Sequence, residues 1–159
     1  MKKFIITAVA LFCAMFVMSA QDVSDLNRAA RLAYEWLESE GYKPYVDGYG
    51  VCFELDDCYM YVNNSEDEDY LQIMYYGLDL FDPEEEPGLA LAAVIVCNEV
   101  TRDIKLVKAH MSEEGVISLA VETYLDETPD IGQYMETAIN YILYAAIIWQ
   151  ERYAEYETE

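Results

Sequence analysis

Chemistry in this chain would need a nucleophile with its base, or a set of metal ligands, and the candidates are few. His110 is the only histidine. A histidine base needs a nucleophile in reach and a third group to orient it. Ser112 and Ser118 lie close in sequence, but neither sits in a strand-turn-helix elbow or beside a glycine-rich oxyanion loop. His110 therefore reads as a sheet-edge or surface residue. The acidic runs Glu66-Asp67-Glu68-Asp69 and Glu84-Glu85-Glu86 offer oxygen ligands to a hard cation. A calcium loop places its carboxylates at alternating positions around a turn glycine, with a distal glutamate. Neither run has that spacing, and both read as solvated charged loops. Cys52, Cys58 and Cys97 lack the paired short intervals of a structural zinc site, and their apolar neighbours make them read as core thiols. Paired carboxylates for glycoside hydrolysis are available among 31 acids, but abundance is not a site. The expectation is a non-enzymatic chain with no catalytic set, no metal ligands and no cofactor.

The residue type most out of proportion is tyrosine, with fifteen in the chain. Strand alternation puts Tyr59, Tyr61, Tyr70 and Tyr76 on one sheet face with Glu54, Gln72 and Met74, opposite an apolar set of Val51, Phe53, Leu55, Cys58, Met60 and Val62. Tyrosine combines a large rigid ring with a polar tip, which concentrates it in interfaces. These four rings are thus a candidate partner-binding face. The alternative is a second packed layer under helices.

The elements that would hold this face follow from periodicity and punctuation. Met1 to Ala20 reads as a secretory signal peptide, with Lys2 and Lys3 before an apolar core and a cut after Ala20. That leaves residues 21–159 as one domain, exported to the periplasm or beyond the cell, without stable membrane insertion. Losing Lys2 and Lys3 with the leader takes the formal net charge from −22 to −24, which repels nucleic acid and anionic lipid. A first helix is expected from an N-cap at Ser24 to about Ser39, then a loop over Lys43 to Gly48. Val51 to Leu55 and Cys58 to Val62 read as a hairpin around Asp56-Asp57. In this register Leu55 pairs with Cys58 and Phe53 with Met60, which puts Cys52 and Cys58 on opposite faces. A third strand covers Tyr70 to Tyr76. Two further strands, Ile104 to Met111 and Val116 to Leu125, form a second hairpin, and Thr128-Pro129 starts a last helix reaching about Ala154, with Ile131, Met135, Ala138, Ile142, Ala145 and Trp149 in a three-four spacing.

Between the two strand groups lies LALAAVIVCNEVT, Leu89 to Thr101, whose first nine residues carry no polar side chain. A helix apolar all round must be covered on more than one face. Leu89, Ala92, Ala93, Val96 and Val100 form a stripe expected to lie on the sheet. Leu91, Val94, Ile95 and Asn98 form a candidate dimer seam. The fold class is α+β, a single domain of order αβββαββα with an antiparallel sheet packed by helices.

This order resembles the YbjN-type family, whose fold is that of the type III secretion chaperones. The residues that carry the resemblance are LESEGYKPYVDGYG closing the first helix, the strand meander, the apolar helix with Asn98, and LAVETYLDETP before the last helix. The resemblance implies a small acidic homodimer that binds a protein or peptide partner, and it brings no catalytic residues. A small-molecule or peptide-ligand domain with a sensory or regulatory role is the alternative it leaves open.

Overall fold

The structure is a computed structural model and describes residues 22–55 and 58–157. Its centre is a six-stranded antiparallel sheet in the order β1-β2-β3-β4-β6-β5. The strands are β1 (Tyr45–Val46), β2 (Gly50–Leu55), β3 (Cys58–Asn63), β4 (Tyr70–Leu80), β5 (Lys108–Met111) and β6 (Val116–Tyr124). The register pairs Leu55 with Cys58 and Phe53 with Met60, as the hairpin reading requires. The expected turn, Asp56-Asp57, lies outside the described residues. Alternation then buries Val51, Phe53, Met60, Val62, Leu71, Ile73, Ile117 and Leu119 on one face.

In the first four strands the structure differs from the sequence reading twice. The expected loop after the first helix contains β1, a two-residue edge strand pairing Tyr45 with Cys52 and Val46 with Val51. The third strand runs on to Leu80, because its register shifts between Tyr76 and Asp79. Gly77 lies there at φ 80°, a conformation glycine adopts without cost and one that suits a bulge.

Three helices, α1 (Arg28–Ser39), α2 (Pro87–Asp103) and α3 (Ile131–Glu157), pack on the apolar side of the sheet. The N-cap of α1 is Asn27, not Ser24, and its side chain accepts from Ala30 N at 2.7 Å. The acidic loop after β3 is not a free solvated segment. Glu68 accepts Arg28 N through its carboxylate at 2.6 Å and Ala29 N through its carbonyl at 2.9 Å. The Asn27 amide donates to Ser65 O and Asp67 O at 3.0 and 3.2 Å, and the Arg28 guanidinium pairs with Asp69 and donates to Asp126 O and Glu127 O. A helix N-terminus leaves unsatisfied N–H groups and a partial positive charge. Acidic residues answer both needs, which accounts for the composition of this loop.

Helix α2 buries Ala90, Ala92, Ala93, Val96, Cys97 and Val100, while Leu89 is half-buried. It packs against α3 and β5 rather than across the middle of the sheet. Trp149 of α3 donates from Nε1 to Cys97 Sγ at 3.3 Å and stacks on Tyr153 at 4.9 Å, with Phe81 5.1 Å from Tyr153. Cys97 is the buried thiol of the three. Cys52 and Cys58 are half-buried, on the opposite faces that the register requires, and none of the three forms a disulfide. Ile104 and Val107 bury themselves in the turn after α2, so β5 begins only at Lys108. Its outer edge is closed at Ala109, whose N–H donates to Thr101 Oγ1 at 2.9 Å and whose carbonyl accepts from that hydroxyl at 3.3 Å. Helix α3 starts at Ile131 with Asp130 accepting Gln133 N at 3.1 Å, in place of the expected Thr128 cap. Met135, Ala138, Ile142, Ala145 and Trp149 form its buried stripe, as their spacing predicts.

Removing Asn27 is expected to cost more than its size suggests, because one side chain caps a helix and holds a loop. Asn27→Ala should lower the unfolding free energy by about 2 kcal/mol, while Arg31→Ala, exposed on the same helix, stays within about 0.5 kcal/mol. Urea denaturation followed by circular dichroism measures both, and a near-neutral Asn27→Ala would refute the stapling role.

Candidate functional site

Helices α1, α2 and α3 pack on one side of the sheet, so among the described residues its other face is open. It carries Cys52 and Glu54 from β2, Tyr59, Tyr61 and Asn63 from β3, and Tyr70, Gln72, Met74 and Tyr76 from β4. From β6 come Ser118, Ala120, Glu122 and Tyr124, and from β5 Lys108 and His110. Tyr59, Tyr76 and Tyr124 are 50%, 54% and 66% exposed. Tyr61 and Tyr70 are partly covered, so the four tyrosines grouped by the sequence share one face but are not equally available. Tyr124 joins them, its ring 5.4 Å from that of Tyr70. The sequence reading missed it because it did not pair β6 with β4. With that pairing, the alternation in Val116 to Leu125 would have found it.

Between the rings runs a polar chain across four strands. Asn63 Nδ2 donates to Gln72 Oε1 at 3.0 Å, and Gln72 Nε2 donates to Glu122 Oε1 at 3.1 Å. Lys108 Nζ reaches the other oxygen of Glu122. Burial opposes ionisation of Glu122, but hydrogen bonds from Lys108, Tyr70 and Gln72, with the lysine charge, outweigh it and hold the carboxyl below its ordinary value. Burial and the same hydrogen bond push the Tyr70 phenol up to about 12. Ser118 and Ala120 are buried beneath the larger neighbours that their registers supply, Tyr76 and His110 for one, Met74 and Lys108 for the other.

At the β1 end, Asp47 organises the turn. Its Oδ1 accepts Tyr49 N and Gly50 N at 2.8 and 3.0 Å, and its Oδ2 accepts the Cys52 thiol at 3.3 Å. The Tyr61 hydroxyl is buried here with no hydrogen-bond partner. Burial first, then the negative charge of Asp47, pushes its phenol well above the usual tyrosine value.

The candidate seam lies elsewhere. Leu91 and Ile95 are 62% and 38% exposed, Asn98 is exposed and Val94 is half-buried. The outer stripe of α2 is therefore uncovered among the described residues of one chain. Beside it, Arg152 of α3 pairs with Asp103 at 2.9 Å and Glu99 at 3.7 Å. Hydrogen bonds from Arg102 and then Arg152 hold the Asp103 carboxyl down at about 2. His110 is exposed on β5 opposite Ser118 in register, yet the Ser118 hydroxyl has no partner and Ser112 Oγ donates to Glu114 at 3.1 Å. No nucleophile and base are thus brought together at the histidine. Among the described residues, no group of three or more histidine, cysteine or acidic side chains could hold a metal ion, and no helix is long and apolar enough to cross a membrane.

The native state keeps Glu122 ionised below the pH at which the unfolded chain takes up that proton, about 4.3. In that interval the unfolded chain binds more protons, so stability falls as pH drops through it. Glu122→Gln is expected to melt below the unchanged chain at pH 7 and to converge with it as pH falls from 6 towards 3. Parallel melting curves across that range would show that the Glu122 network is not coupled to folding.

No family model matches the chain, and no curated protein matches it. Two solved structures share its fold. A crystal structure of an uncharacterised protein from Methanothermobacter thermautotrophicus aligns with a TM-score of 0.55 at 12% identity, over 80% of this chain and 97% of that one. YbjN from E. coli, whose assignment as a transcription regulator is provisional, aligns with a TM-score of 0.58 at 10% identity, over 78% of this chain and 90% of its own. The chain has the YbjN-type fold.

Proposed function

We propose that this chain is an exported, non-enzymatic protein-interaction module that works as a homodimer, binding its partner across the open sheet face and pairing through the outer stripe of α2. The observation that carries the reading is the open face itself, where Tyr59, Tyr76 and Tyr124 are half or more exposed around a hydrogen-bonded polar floor. Exposed tyrosines offer contact area at low entropy cost. The polar floor keeps the bare face from behaving as an aggregating apolar patch. Support for the dimer comes from Leu91 and Ile95, which lie exposed on a helix with no acid between Leu89 and Asn98. In a chain of net charge −22, two copies meet with least repulsion where carboxylates are missing. A register-setting contact across the seam falls to Asn98. The apolar leader, Phe4 to Met18, supports export.

Light scattering at micromolar concentration is expected to give twice the mass of the chain, and Leu91→Glu with Ile95→Glu a folded monomer. A monomeric unchanged chain would remove the dimer. Tyr59→Ser with Tyr76→Ser should fold normally, since both rings are half exposed, and should lose the proteins crosslinked to the unchanged chain in its native compartment. An unchanged set of crosslinked proteins would take the partner off this face.

A further inference from the structure

A second surface is set apart by its charge. Arg102, Lys105 and Arg152 are three of the seven basic residues that follow Lys3, and they lie around the turn after α2 with two acids. Arg152 is committed to Glu99 and Asp103, and Arg102 to Asp103. Lys105 is exposed and has no ion pair among the described residues. Beside it, α3 presents fourteen residues from Thr137 to Gln150 without a charge. The result is a neutral-to-positive island on a strongly acidic protein.

The island contains an open groove. Leu106, Tyr141, Tyr144 and Ile148 supply most of its apolar lining, and its charged lining is Lys105, Arg152 and Asp103, the last paired with Arg152 and Arg102. Tyr144 is 54% exposed and Leu106 49%, large apolar contact area left uncovered among the described residues. Exposed tyrosines beside cations, with the one lining acid already paired, have the composition of a protein-binding surface. The charge selects the occupant. A basic segment would be drawn to the acidic remainder of the molecule, whereas an acidic one finds here apolar contact area beside an exposed lysine that has no ion pair among the described residues. A small anion would leave the apolar lining unused, whereas a peptide fills it while its carboxylate meets Lys105.

We propose that this groove between the turn after α2 and α3 is a docking site for an acidic peptide segment of another protein, whose apolar side chain enters between Leu106, Tyr141 and Tyr144 while its carboxylate meets Lys105. This site is separate from the open sheet face and does not depend on that face binding anything.

The test uses short fluorescein-labelled peptides followed by fluorescence anisotropy: one alternating glutamate with leucine and phenylalanine, one with glutamine for glutamate, and one with lysine for glutamate. The acidic peptide is expected to bind saturably and more weakly as ionic strength rises to physiological values. Lys105→Glu and Tyr144→Ser, both at exposed positions, should each weaken it by about five- to tenfold, and Tyr124→Ser on the sheet face should leave it unchanged. Any of four results overturns the proposal: no saturable binding, equal binding of the acidic and lysine peptides, binding unaffected by Lys105→Glu, or weakening by Tyr124→Ser alone, which would move the peptide to the sheet. Loss of self-association in Lys105→Glu, with the acidic peptide unbound by the unchanged chain, would assign the groove to a second copy instead.

Discussion

The structure depends on a sheet covered from one side. Strand alternation gives every strand two faces, and three helices suffice for one of them. Phe53, Met60, Leu71, Ile73, Ile117 and Leu119 take that covered face. Everything on the other face must then be stable against water without a helix above it, which excludes a second apolar layer. The chain meets this condition with Tyr59, Tyr76 and Tyr124, whose rings shield backbone while the side chains stay half or more exposed to water. It adds the Asn63–Gln72–Glu122–Lys108 chain, which satisfies side-chain polar groups laterally. Ser118 and Ala120 complete the arrangement as small residues under larger neighbours.

The same chain must place 31 acids with few bases to pair them. Its answer is to use carboxylates and carbonyls as hydrogen-bond acceptors for the backbone. Asp47, Glu68, Asp82 and Asp130 each accept main-chain N–H groups at a turn or helix start. In those positions negative charge opposes the partial positive charge of unsatisfied N–H groups, so the acid run after β3 contributes to stability. The acids that remain are spread over loops and helix ends, and they leave the outer sides of α2 and α3 nearly bare of them. Charge distribution thus divides the surface into a repelling majority and a few places where another chain can approach.

Most of the architecture was legible in the sequence because it rests on period and punctuation. The hairpin register came out correctly from Asp56-Asp57, since a two-residue loop fixes which residues face each other. The stripe on α3 followed from a three-four spacing that only one face can satisfy. The errors share a cause, which is that local signals compete with contacts from far along the chain. Ser24 and Thr128 are good caps by type, yet Asn27 and Asp130 do the capping. For Asn27, the loop after β3 arrives to bond both the side chain and the first helical N–H groups. Tyr45-Val46 has too short a pattern to read as a strand and becomes one only by pairing with β2. The candidate site was half visible for the same reason. Tyr59, Tyr61, Tyr70 and Tyr76 lie on neighbouring strands, while Glu122, Tyr124 and Lys108 enter through the pairing of β4 with β6 and of β6 with β5, which no local pattern announces.

A one-sided sheet also separates what maintains the fold from what recognises a partner. Exchanging an exposed tyrosine on the open face removes no core contact, so the cost in folding is small, whereas Trp149 or Phe53 cannot change without leaving a cavity. Two proteins can therefore keep this architecture at 10–12% identity while presenting unrelated open faces. Fold is carried by the covered side, and a shared fold says nothing about the ligand of the other side. The recognition chemistry of this chain must accordingly be sought in its own exposed rings and in the polar chain that spaces them. The conserved geometry beneath supplies only rigidity, which is what a flat binding surface requires if contact area is to be gained without ordering loops.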